Sequence, residues 1–274
     1  MSAVEIHVPR LEHVGRVTQA RVARSEWTKL HSLRSTRWSL LAAAVLGIGL
    51  PCVFAAVTSS HWARMSLHER ADRHPLDIAL AGVNVAQLAI AVLGVLVITG
   101  EYSTGMIRAT FTAVPKRLPV LWGKAGVFAV VTFVLALPTV LVAFFASQAI
   151  LHGIPQLQIS WSHPGVARTV VGGAVYLMLL GVLAMAIGAI VRNTAGGIAA
   201  FAALFFVIPP LMNVLPSSWN NAISPWLPDA AGRSIFTLSP GSHSLSPWAG
   251  FALFVGYTAF ALAVSAVLLV RRDT

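Results

Sequence analysis

The chain has 274 residues, 57% hydrophobic and only 10% charged, against roughly 25% charged in an ordinary soluble domain, so a water-facing surface cannot be covered and a soluble globular protein is excluded. A single cysteine, Cys52, excludes an intramolecular disulfide, a CxxC pair and a thiolate metal site. The formal net charge of +10 lies in clusters beside apolar runs, which points to membrane topology and not to nucleic acid.

Residues 1–37 are polar and basic and contain no short apolar core followed by a small-residue cleavage site, so no signal peptide is expected and the amino terminus is expected in the cytoplasm. Within them, "VTQARVARSEWTKLHSLRSTR" (17–37) sets Ala20, Ala23, Trp27 and Leu30 on one helical stripe. The pattern predicts a helix lying in the membrane interface, with Trp27 at headgroup depth and Arg21 and Arg24 near anionic lipid. A plain basic flank explains the cations equally well. Glu26 gives a lipid-binding stripe nothing, so it predicts a protein contact or an intrahelical pair with Lys29.

A helix rising about 1.5 Å per residue needs roughly 20 apolar residues to cross a hydrocarbon core. Six stretches qualify, near 38–58, 78–100, 125–150, 167–191, 194–215 and 248–270. The predicted fold is therefore all-α: one six-helix transmembrane domain over 38–274, preceded by the tail and interfacial helix of 1–37. Fourteen of the nineteen lysines and arginines fall in the segments that are inside if the amino terminus is inside, and this places both termini in the cytoplasm.

The loop after the first span, 59–77, carries His61, His68 and His74, but nothing completes a ligand set, and a solvated loop is the simpler expectation. In the second span, Asn84 and Gln87 lie three apart on one face, as expected of side-chain amides that hydrogen-bond between helices rather than contact a substrate. The inner loop 101–124 opens with Glu101, an acid at the edge of hydrocarbon and therefore a marker of the inner mouth. After it, "STGMIRATFTAV" allows a short amphipathic helix that "PKRLP" terminates. Arg192 and Asn193 alone separate the fourth and fifth spans, which requires a tight turn. The small residues Gly196, Gly197, Ala199 and Ala200 favour close helix packing. The last outer loop, 216–247, ends against Trp248. Trp219, Trp226 and Trp248 suit an outer interfacial belt, and "LPDAAGRSIF" predicts a short helix or re-entrant hairpin, either a lid or a packed loop.

Catalytic motifs are missing. The only Gly-Lys pair, Gly123 and Lys124, has Leu118 where a phosphate-binding loop needs glycine and Ala125 where it needs serine or threonine. HExxH and GxSxG are absent, and no catalytic carboxylate pair lies mid-span. Without ionisable residues deep in the spans, a proton-relay antiporter lacks its equipment, and an intramembrane enzyme is disfavoured. A six-helix pathway or scaffold driven by another protein remains.

Three stretches then resemble a known family. "SEWTKLHSLRSTRWSLL" (25–41) is similar to the amphipathic elbow of permease subunits of ATP-binding-cassette transporters of the second exporter type, particularly those of actinobacteria, with His31 where arginine is common. "EYSTGMIRATFTAVPKR" (101–117) resembles their loop after the second span, departing at Met106 where threonine is usual, and "LPDAAGRSIF" (227–236) resembles their outer element. The resemblance implies a multi-pass subunit of the bacterial plasma membrane with no bound cofactor or metal. It implies a second permease copy, identical or related, and two separate cytoplasmic ATPase subunits that carry ATP and magnesium. Membrane lipids are further partners, and nucleic acid is not. By the same resemblance, Glu101, Tyr102, Gly105, Arg108, Pro115, Lys116 and Arg117 form the element that couples the ATPase to the bundle, with Glu26, Trp27 and Lys29 of the elbow beside it. The implied activity is export of an amphipathic drug, antibiotic, peptide or lipid. The alternative is a non-transporting scaffold, sensor or immunity subunit that docks the same ATPase.

Overall fold

The computed structural model describes residues 18–32, 34–105, 117–239 and 241–272. It is 85% helical, with no strand among the described residues. Helix α1 covers Gln19–Ser32 and α2 Arg34–His61. The short α3, Leu67–Ala71, begins with a capping box in which the Ser66 side chain accepts from the Glu69 N–H and the Glu69 carboxylate accepts from the Ser66 N–H. Then follow α4, Pro75–Ser103, α5, Arg117–Ile150, and α6, Val166–Val191. Helix α7 is Thr194–Met212, the short α8 and α9 are Ser217–Ile223 and Pro228–Arg233, and α10 is Pro247–Arg272.

Six of these helices, α2, α4, α5, α6, α7 and α10, are long and apolar enough to cross a membrane. The molecule is a multi-pass membrane protein, and the spans fall where hydropathy predicts them. One boundary differs in a way that matters. The third span starts at the beginning of α5 rather than at 125, so the loop expected over 101–124 is shorter, and Gly123 and Lys124 are helical.

Helix α6 is the centre of the bundle: 67% of its most apolar window is buried, against 22% for α2 and 17% for α7. Those two outer helices, with one face of α10, expose rows of Val, Leu and Phe that suit lipid. Close crossings rest on glycines. A Cβ at Gly82 of α4 would meet the Gly47 carbonyl of α2 at 2.1 Å, and one at Gly94 would meet the Gly181 carbonyl of α6 at 2.5 Å. Dispersion and packing drive helix association in lipid, so such approaches carry weight that hydrophobic burial carries in water. Gly197 packs on Gly188 and Val95, in line with the packing role expected of the small residues there.

The expected tight turn joins α6 to α7. Arg192 adopts a left-handed conformation, φ 59°, and its N–H bonds the Gly188 carbonyl, while the Asn193 side chain accepts from the Gly196 N–H at 2.8 Å. Later in α7, residues Ala203–Val207 form a π-helical turn. Pro209 and Pro210 follow and have no N–H for the carbonyls of Phe205 and Phe206, so the ladder rearranges around the missing donors.

Tryptophans mark both ends of the bundle. Trp219, Trp226 and Trp248 are exposed at one end, while Trp27, Trp38 and Trp122 are exposed at the other. Two such belts are what two membrane–water boundaries require.

Candidate functional site

Glu101 occupies the last turn of α4, and Lys124 lies two turns into α5. Helix α1 approaches both because Gly123 leaves room for it: a Cβ there would meet Val22 Cγ1 at 2.9 Å. The face of α1 turned inward is Val22, Glu26 and Leu30, at helical spacings of four, with Ala23 and Lys29 half-buried beside it. Of the expected stripe, Leu30 lies on this inward face and Ala23 beside it, while Ala20 and Trp27 stay exposed, Trp27 by 46%.

Four charges close into a ring. Lys29 Nζ donates to Glu26 Oε1 at 2.7 Å and to Glu101 Oε1 at 2.9 Å. Lys124 Nζ donates to Glu26 Oε2 at 2.5 Å and to Glu101 Oε1 at 2.9 Å. Glu26, Lys124 and Glu101 are 2%, 3% and 5% exposed, so three of the four charges are shut away from water. Their sum is zero. Burial acts to lower the Lys29 pKa, but its bonds to Glu26 and Glu101 outweigh that and hold it above the ordinary lysine value. Both expectations for Glu26, the intrahelical pair and the protein contact, hold together.

Such a ring is a fastener rather than a reactive centre. Each carboxylate is pinned between two ammonium groups, and removal of any member leaves a buried charge uncompensated, which typically costs about 3–5 kcal/mol. Three elements are thereby held in fixed mutual position: α1, the end of α4 and the start of α5.

The other residues expected around it are distributed as follows. Tyr102 lies under the Arg192 guanidinium, 5.2 Å from its ring centroid, which ties the end of α4 to the α6–α7 turn. Gly105 has φ +71° and terminates α4 in the left-handed conformation that glycine adopts without strain. Arg108, Pro115 and Lys116 lie outside the described residues, and Arg117 is described only as the first residue of α5.

Toward the middle of α4, its two amides have separate partners. Gln87 is fully buried, and its Oε1 accepts from the Tyr176 hydroxyl of α6 at 2.6 Å. The Asn84 Oδ1 accepts from Arg233 Nη1 at 2.8 Å, and Arg233 Nε also donates to Asp229 Oδ1 at 2.7 Å. The "LPDAAGRSIF" segment is thus a short helix wedged into the bundle, with Asp229, Ala231, Gly232 and Ser234–Phe236 buried. Arg168 of α6 holds it by donating to the carbonyls of Ile235 at 2.9 Å and Thr237 at 3.1 Å. Phe236 packs against Tyr176 with the rings tilted by 51° and centroids 5.0 Å apart.

Sequence reasoning missed Lys124, Arg233 and Arg168. Lys124 looked like a loop cation, and its only local signal was an adjacent glycine at the start of an apolar helix. Among the described residues no three of His, Cys, Asp and Glu gather as a metal site, His61, His68 and His74 included. Comparison of the chain with models of known families and with curated proteins gave no match, so the built features of this bundle are, from its own residues, a neutral charge ring at one end and a wedged short helix at the other.

Proposed function

We propose that the protein is the membrane-spanning permease subunit of an ATP-driven exporter of the bacterial plasma membrane, moving an amphipathic compound and driven by a separate cytoplasmic ATPase. The observation that carries this reading is the charge ring. It fastens α1 to α4 and α5, the two helices that residues 106–116 connect in the chain, the segment to which the family resemblance gives the coupling role.

In this reading the ring end faces the cytoplasm, in keeping with fourteen of nineteen cations on that side. ATP-driven closure of the ATPases pushes on 106–116. A floppy connector would absorb that push, whereas α4 and α5 held at Glu101 and Lys124, with α1 held through Glu26, move together. Helix α4 carries Glu101 near one end and Asn84 about two-thirds of the way to the other, about 26 Å apart at 1.5 Å per residue. Displacement of α4 therefore reaches Arg233 and the wedged α9 directly. Cargo would leave past α9 once its bonds to α4 are strained.

The reading predicts an ATPase encoded beside this gene, and the test is co-expression with it. The two are expected to co-purify, and reconstituted vesicles are expected to show compound movement that depends on ATP. Glu101→Ala and Arg117→Glu are expected to leave hydrolysis running while transport falls. An ATPase that neither binds nor changes its turnover refutes the reading, and a complex that hydrolyses ATP but moves no compound identifies a scaffold or sensor instead.

A further inference from the structure

Beside the charge ring lies a cavity of about 300 Å³ between α1, α2 and α4. Leu30, Leu93, Leu96 and Val97 give it apolar walls, and the ring residues, including Glu101, form its polar end. Its volume is at the lower end of small-molecule sites and about ten times the share of one water in the liquid.

The polar end is not fully used. Glu101 is 5% exposed, and its Oε1 accepts both lysine bonds, but its Oε2 is buried without a hydrogen-bond partner. Lys29 and Lys124 each spend two donors on the ring, and an ammonium has three. A buried carboxylate oxygen left without a donor is costly and calls for one.

We propose that this cavity binds an uncharged amphiphile whose apolar chain lies against Leu30, Leu93, Leu96 and Val97, and whose hydroxyl head donates to Glu101 Oε2 once the carboxylate turns that oxygen toward the cavity. The ring charges cancel, so a cationic or anionic head would add a net buried charge with nothing to offset it. A hydroxyl answers both shortages, because it donates to the carboxylate and accepts from the spare lysine N–H. Apolar walls exclude a purely polar solute. The inference rests on the cavity and its orphaned oxygen and does not depend on the exporter reading.

The experiment uses the full chain in phosphatidylcholine nanodiscs, with native mass spectrometry as the readout. Three probes of equal chain length are compared: monodecanoylglycerol, decylamine and decanoate. Each is supplied both mixed into the bilayer and added from water to preformed discs. Saturable binding of monodecanoylglycerol, at least about tenfold tighter than either charged probe, is expected. Binding in the bilayer arm alone supports a resident lipid, and binding in both arms supports a freely exchanging compound. Gly100 lines the cavity, and a Cβ there meets nothing within 4 Å, so Gly100→Leu should fold, occupy the space and weaken binding about tenfold or more. Leu96→Trp narrows the same cavity from another position and should act alike. Absence of saturable binding in both arms, equal or tighter binding of a charged probe, or unchanged binding in both variants overturns the proposal.

Discussion

Replacing Lys124 with methionine removes a buried ammonium while keeping a long apolar side chain. Lys124 makes two of the four ring bonds, at 2.5 and 2.9 Å. At an effective dielectric of about 20, a close ion pair is worth on the order of 4 kcal/mol, so the gross attraction lost is roughly 8 kcal/mol. Lys124 no longer has to be stripped of water, which offsets several kcal/mol, and a net loss of about 3–5 kcal/mol is expected. Glu26 and Glu101 then face one another with only Lys29 between them. The assay is unfolding from mixed detergent micelles by added dodecyl sulfate, followed by tryptophan fluorescence. Glu101→Gln is measured alone and combined with Lys124→Met. Within one network the double variant should lose less than the sum of the single losses, by more than about 1 kcal/mol. If Lys124→Met stays within about 0.5 kcal/mol of the parent, or the two losses simply add, the ring does not hold the elements together.

Gly82→Leu sets a side chain against the Gly47 carbonyl and should prevent α2 from closing on α4, with a loss above about 3 kcal/mol; Gly126→Leu, whose Cβ meets nothing within 4 Å, is the control and should unfold like the parent. Arg233→Met removes the bonds to Asn84 and Asp229, so amide exchange should speed up across 228–236 while α6 stays protected, and unchanged exchange would show that the wedge is held elsewhere. The raised pKa of Lys29 fixes a sign: its contribution is fully present below the ordinary value of 10.5 and is lost as pH rises through the higher folded value. The stability difference between the parent and Lys29→Met should therefore shrink at pH above about 10.5 and again in acid, where the ring carboxylates take up protons, and a difference that changes between about pH 6 and 9 would contradict the pairing.

The spans were legible because twenty-odd apolar residues in a row leave few alternatives to a membrane helix. The site was legible only in part. Glu26 stood out as an acid on a basic amphipathic helix, and Glu101 as an acid at the edge of hydrocarbon. Their shared partner Lys124 has no acid within four residues in the chain, so its neutralisation is purely tertiary and sequence pattern files it with the loop cations. A pattern that seeks apolar residues likewise passes over a buried glutamate, so the inward face of Val22, Glu26 and Leu30 was not read from the sequence. Asn84 and Gln87 were correctly expected to bond between elements. That one reaches α6 and the other α9 follows from how far α9 is pushed into the bundle, which local sequence does not encode.

The ring also orders events during synthesis. Glu26 and Lys124 are 98 residues apart, so α1 leaves the ribosome long before its anchor on α5 exists. Through that interval the i, i+3 contact between Glu26 and Lys29 can satisfy the acid within α1 itself. Helix α1 thus stays undocked until the insertion of α4 and α5 delivers the two charges that capture it.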